Sequence, residues 1–221
     1  MMKQFIIGIS GITNGGKTTL ANRLLKLLPN CSLICQDDYF KPDSDIETDE
    51  NGFKQYDTIE ALDMETMIKA VHSWIKLSQD VLAMEEKKEM CSTCEEKAYF
   101  LIVEGFLLYH YKNYYCRPLE NVLNRKYFLS IPYEESKQRR SRRIYNPPDP
   151  PGYFDGHVWP MFLKHKKEME ETHSDIVYLD GTKSEDEIQS LVYSDIITSQ
   201  FTSKAAKRKC WSPSLGIIHL M

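Results

Sequence analysis

Five short apolar runs punctuate the chain, at residues 5–9, 31–35, 100–103, 127–131 and 176–179. Each is of strand length, carries β-branched or aromatic residues and lacks strict alternation, the pattern of strands covered on both faces. Helical periodicity fills the intervals. Residues 18–28 bring Leu20, Leu24, Leu27 and Leu28 onto one stripe, and residues 58–77 repeat Ile59, Leu62, Met67, Val71 and Trp74 at spacings of three, four or five. Residues 132–143, 157–172 and 184–199 read as three more helices. Strand and helix alternate, which predicts an α/β fold: a parallel sheet of about five strands flanked by helices.

Three segments interrupt this order. Residues 41–57, "KPDSDIETDENGFKQYD", are acidic and rich in turn formers, a loop too long to be a mere connector. Residues 79–98 hold the charge run "MEEKKEMCSTCEEK" and read as a solvated surface excursion. Residues 201–221 drift from Lys-rich to "GIIHLM" and are expected to form a partly disordered tail beyond one domain of residues 1–200.

Composition narrows the function classes. The 28 Lys+Arg against 32 Asp+Glu leave a net charge of -4, so no global positive field exists to hold a nucleic-acid backbone. The apolar stretch at 5–7 is too short for a signal peptide and runs straight into glycines. No run approaches the ~18 apolar residues of a membrane span. The six cysteines are therefore expected to be reduced thiols in a cytoplasmic, monomeric protein without nucleic-acid or membrane partners. Cys91 and Cys94 have C-x-x-C spacing but no second pair at finger spacing, so no metal site is expected there.

The chemistry begins at "GISGITNGGKTTL". Gly11 to Thr18 fit G-x-x-x-x-G-K-[ST], with a strand predicted before and an amphipathic helix after. Through Gly11, Ile12, Thr13, Asn14, Gly15 and Gly16 the backbone can curl so that its N–H groups form an anion nest at a helix N-terminus. Lys17 then reaches the β- and γ-phosphates of a nucleotide and the Thr18 hydroxyl ligates Mg²⁺, with Thr19 following. A GTP switch would need D-x-x-G after a strand and N-K-x-D. The first occurs near a core element only as Asp149 to Gly152 behind two prolines, and the second occurs nowhere.

The second strand ends in "QDDYF". Ligands of open parallel sheets sit beyond the carboxyl ends of the strands, so Asp37 and Asp38 are expected to face the phosphate loop, where a carboxylate can orient a hydroxyl and accept its proton. Glu104 ends the third strand at the same edge. Tyr39, Phe40, Phe53, Tyr56 and Tyr145 fall in or beside the loops there. Arg139, Arg140, Arg142 and Arg143 end a helix that passes into a proline-rich loop, the placement of a lid that neutralises charge in phosphoryl transfer.

"GISGITNGGKTTL", "NCSLICQDDYFKP", "NGFKQYD", "VEGFLLY", "PYEESKQRRSRRIYNPPDPPGYFDGHVWPM" and "VYLDGTKS" together resemble the nicotinamide riboside kinases of vertebrates, over most of residues 3–200. The phosphate loop alone is common to the wider uridine-kinase-like group. The resemblance implies a P-loop NTPase-type fold with a small lid at about 137–157. It also implies transfer of the γ-phosphate of ATP to the ribose 5′-hydroxyl of nicotinamide riboside, and of nicotinic acid riboside, for NAD synthesis. It makes Asp37 the catalytic proton acceptor, with Thr18 and Asp37 near Mg²⁺. Asp37, Asp38, Tyr39, Phe40, Tyr56 and Asp57 would line the riboside site, with Asp57 and Arg140 gripping the ribose diol. Tyr145 and Asn146 would close over the base, Arg139 and Arg143 would meet ATP phosphates, and Lys183, Ser184 and Glu185 would lie near the adenine. The alternatives are a uridine or cytidine kinase, or a P-loop fold serving chiefly as an interaction module.

Overall fold

The computed structural model describes residues 3–88, 97–109, 117–145 and 147–209. All five expected strands form: β1 (Lys3–Gly11), β2 (Cys31–Cys35), β3 (Ala98–Glu104), β4 (Arg125–Ser130) and β5 (Ile176–Asp180). They pair in parallel in the order β2-β3-β1-β4-β5. The helices are α1 (Lys17–Leu27), α2 (Met64–Lys88), α3 (Arg117–Glu120), α4 (Tyr133–Ser141), α5 (Trp159–Thr172) and α6 (Glu185–Lys209). The chain leaves β1 for β2 at one edge and later returns to β4 on the other side of β1. The central strand thus ends at the point where strand order reverses, and a crevice opens there.

Both faces of the sheet are buried, which is why the strand sequences do not alternate. Ile6, Leu101, Val103 and Phe128 point into one core with Met67 and Val71 of α2 and Met169 of α5. Ile7, Ile9, Ile102, Tyr127 and Leu129 point into the other with Leu20 and Leu24 of α1 and Val192 and Ile196 of α6. Each fully buried aliphatic side chain of this kind contributes about 1.5–3 kcal/mol. Arg125 binds Asp195 through Nε and Nη2 at 3.0 and 2.6 Å, and the Tyr127 hydroxyl donates to the same carboxylate at 2.6 Å, so β4 is tied to α6.

The helix boundaries differ from the periodicity in instructive ways. Residues 59–61 take a 3₁₀ turn, and α2 begins only at Met64, because Asp63 caps it by accepting from the Thr66 N–H at 3.0 Å and the Thr66 hydroxyl at 2.7 Å. The same helix runs through to Lys88, so the first part of the expected surface excursion is helical. Cys91 and Cys94 lie outside the described residues. Helix α6 likewise continues to Lys209 into the expected tail, and residues 210–221 lie outside the described residues. A π-helical turn, Phe154–Val158, precedes α5. Cys31 and Cys35 are free thiols, each pushed up to about 12, mainly by burial. Among the described residues no helix is long and apolar enough to cross a membrane.

Candidate active site

The phosphate loop is built by contacts that only glycine permits. Gly11 sits at φ +139°, and a Cβ there would collide with the Leu129 backbone of β4. Gly16 caps α1 in the left-handed region at φ 97°. The Ile12 N–H donates to the Leu129 carbonyl at 3.2 Å and the Gly15 N–H to the Ile12 carbonyl at 3.1 Å, which closes the loop. No side chain caps α1 and its first turn carries no acid, so its N-terminus is left for an anion. Lys17 donates to the Ile12 carbonyl at 2.9 Å. Burial lowers its pKa, against the opposing pull of Glu104 and Asp37.

Beyond β2 the chain makes one 3₁₀ turn, Gln36–Tyr39. Its anchor is the buried Gln36, whose Oε1 accepts from the Phe106 and Leu107 N–H groups at 3.0 and 2.9 Å in the loop after β3. With about three residues per turn, positions 37 and 40 share a face. Asp37 and Phe40 accordingly line a cavity of about 810 Å³ together with Lys17 and Thr18. Asp38 and Tyr39 are not part of that lining, and Tyr39 packs against the core. The Asp37 carboxyl is raised above its ordinary value, first by burial and then by Glu104 and Asp38, against Lys17 and Arg143. Glu104 is fully buried; its Oε1 accepts from the Thr18 hydroxyl at 3.0 Å and its Oε2 from the Cys35 thiol at 3.2 Å.

The opposite wall comes from the long loop, α4 and the proline-rich segment. Asp57 lines the same cavity, and its carboxyl is pushed up to about 6 by burial, with Asp149 and Asp37 adding to the rise and Arg140 and Lys17 opposing it. Arg140 is held bidentately by Asp149 at 2.6 and 3.0 Å, donates to the Thr13 hydroxyl at 3.2 Å and lies 4.4 Å from the Tyr145 ring centroid. Phe40 stacks on Phe106 at 5.8 Å and meets Tyr56 edge-on at 5.9 Å, so a contiguous aromatic group lines the cavity. Arg139 donates to the Asn14 and Gly181 carbonyls at 3.3 and 3.2 Å, and Arg143 to Asn14 Oδ1 at 3.0 Å. Both arginines therefore rest on the phosphate loop. Asn146 lies outside the described residues.

A second cavity of about 330 Å³ adjoins the same loop, sharing Thr19 and Arg139 with the first and adding Gly15, Lys183 and Glu185 to its lining. Ser184 is not part of that lining. It caps α6 in a reciprocal box with Glu187, its hydroxyl donating to Glu187 Oε2 at 2.6 Å while the Glu187 N–H donates back at 3.3 Å.

Sequence reasoning did not assign roles to Gln36, Asp149, Tyr153 or His165, although all but Gln36 line the larger cavity. Glu104 was legible only as a carboxylate at a strand end, and its grip on Thr18 was not. The Asp149–Arg140 pair spans nine positions of irregular chain, a spacing with no helical or strand period to announce it.

An AAA domain family model matches residues 7–160. Nicotinamide riboside kinase 1 of Homo sapiens is 54% identical over 209 residues, covering 95% of this chain and 98% of that protein. Nicotinamide riboside kinase 2 of Mus musculus is 50% identical, covering 87% of this chain and 95% of that protein. Among solved structures, a sugar kinase from Janibacter sp. superposes with a TM-score of 0.53 at 15% identity, covering 87% of this chain and 95% of that one, a likeness of fold alone. With identities of 50% and 54% over nearly the whole length of both relatives, the chain belongs to the nicotinamide riboside kinase family.

Proposed function

We propose that the protein transfers the γ-phosphate of ATP to the ribose 5′-hydroxyl of nicotinamide riboside, giving nicotinamide mononucleotide for NAD biosynthesis, with nicotinic acid riboside as a second substrate. The observation that carries this reading is one cavity shared by the phosphate loop, Asp37, Asp57 and the aromatic group. Asp37 accepts the hydroxyl proton; its raised pKa brings a carboxylate closer to the operating pH of a general base. Asp57 accepts from the ribose diol, and Arg140, fixed by Asp149, donates to it. Phe40, Tyr56 and Tyr145 offer aromatic faces to the pyridinium cation, at about 0.5–2 kcal/mol per contact. Arg139 and Arg143 turn from Asn14 to the phosphates, residues 137–157 act as the lid, and Lys183 and Glu185 border the adenine.

The oxygen donors fit Mg²⁺. Thr18, Asp37 and Glu104 offer a hydroxyl and carboxylates, and no group of three or more His, Cys, Asp or Glu among the described residues forms a dedicated cage. Such sparse donors suit an ion that keeps waters and binds substrate phosphates. When bound, Mg²⁺ supplies charge neutralisation at the transferring phosphoryl group. The protein works as a cytoplasmic monomer on these small molecules, without nucleic acid or membrane.

The test is a turnover panel with ATP as donor, comparing nicotinamide riboside, nicotinic acid riboside, uridine and cytidine with and without EDTA. The two pyridine ribosides are expected to give the highest kcat/KM and EDTA to abolish turnover. A higher kcat/KM for uridine would overturn the substrate assignment. Undiminished turnover in EDTA would remove the metal.

A further inference from the structure

His157 touches no substrate in the chemistry above, yet it is only 3% exposed and lies beside the ribose-binding carboxylate. Its Nε2 stands 3.6 Å from Asp57 Oδ2 and has no hydrogen-bond partner among the described residues. Leaving a buried ring nitrogen without a partner costs free energy that a correctly placed acceptor recovers. The ring is not left there by loose packing. It stacks on Tyr153 with centroids 5.1 Å apart and planes 23° apart, and the Tyr153 hydroxyl is in turn pinned to the Lys54 carbonyl at 2.7 Å. The π-helical turn Phe154–Val158 fixes its direction, since the extra residue of a π turn rotates a side chain away from its α-helical heading. From α5, His165 Nε2 lies 3.0 Å from the Asp57 carbonyl oxygen. Two histidines thus flank Asp57, one at its backbone and one at its carboxylate.

We propose that His157 is a positioning residue for Asp57: its Nε2–H closes on Oδ2 when a riboside binds and holds the other carboxylate oxygen toward the ribose diol. This rests on the riboside reading above. Contacts of this kind are often long in the free enzyme and tighten in the complex. Because the contact tightens only with the riboside in place, its value falls on riboside affinity and not on the phosphoryl transfer step.

The test compares His157→Gln with His157→Asn. A glutamine amide reaches the position of Nε2, whereas an asparagine amide stops near Nδ1. Steady-state kinetics are measured for nicotinamide riboside and for ATP in each variant, alone and combined with Asp57→Asn, and far-UV circular dichroism verifies folding. His157→Asn is expected to raise the riboside KM about tenfold, with kcat and the ATP KM within twofold of wild type. His157→Gln stays within threefold. Added to Asp57→Asn, His157→Asn should change riboside kcat/KM no further. Equal riboside KM values in the Gln and Asn variants, an equal rise in both KM values, or an undiminished effect in the Asp57→Asn background would each overturn the proposal. A wild-type protein that leaves nicotinamide riboside unphosphorylated overturns the functional reading as well, a result separable from the other three.

Discussion

Burial holds the Asp57 carboxyl at about 6 instead of 3.8, so the folded protein binds this proton more tightly than the unfolded chain does. The stabilising contribution of that proton is fully present below 3.8 and is lost as pH rises through about 6. At pH 7.5 the ionised group therefore weighs against the free fold. Asp57→Asn is expected to raise the unfolding free energy at pH 7.5 by on the order of 1–3 kcal/mol, and Tm with it, a gain that fades toward pH 4, while riboside KM rises and ATP KM does not. Differential scanning fluorimetry across pH beside steady-state kinetics checks both halves; a lower Tm at pH 7.5 contradicts the sign. The wild-type kcat/KM for the riboside should fall as pH drops through about 6, since a protonated carboxyl accepts the diol less well. Asp37 behaves differently. Asp37→Ala should lower kcat by about 10²–10⁴ while ATP still binds, measured by single-turnover assay and nucleotide titration. Substantial remaining kcat would take the base role away from it.

Among the elements, α6 and β4 are held by a single carboxylate with three hydrogen bonds. Removing Asp195 leaves the Tyr127 hydroxyl, on a fully buried ring, and the partly buried Arg125 guanidinium without that partner. Asp195→Ala should cost about 1–3 kcal/mol in urea unfolding with kcat and both KM values unchanged, because neither cavity includes this residue. Altered kinetics would mean that the sheet passes strain from this side to the phosphate loop. The 3₁₀ turn after β2 is the element that sorts the paired acids. Its period puts Asp37 in the cavity and Asp38 outside, a distinction that the run "QDDYF" does not carry by itself. Helix α2 makes a similar point about boundaries. The apolar period begins at Ile59, but the Asp63 cap decides where the helix starts.

For the whole molecule, the net charge of -4 conceals a local field of the opposite sign. Arg139, Arg140, Arg142 and Arg143 all border the larger cavity and attract an anionic nucleotide to a protein that is acidic overall. A ligand that binds only the folded state at 100 times its Kd adds about 2.7 kcal/mol. Nicotinamide riboside is therefore expected to raise Tm, and uridine at the same concentration to leave it nearly unchanged, by thermal shift. Equal shifts would argue that the cavity does not tell the bases apart. The five strands, the phosphate loop with Lys17 and Thr18, and the acidic end of β2 were all legible in the chain, because periodicity and short fixed spacings are local consequences of backbone geometry. The resemblance carried by several motifs added the substrate class and the choice of Asp57 and Arg140. Only the tertiary structure decided the strand order, the bond from Thr18 to Glu104, the bidentate hold of Asp149 on Arg140 and the approach of His157 to Asp57. Those pairs join side chains separated by long or irregular stretches of chain, and such contacts follow from how the layers pack, leaving no period for a linear reading to find.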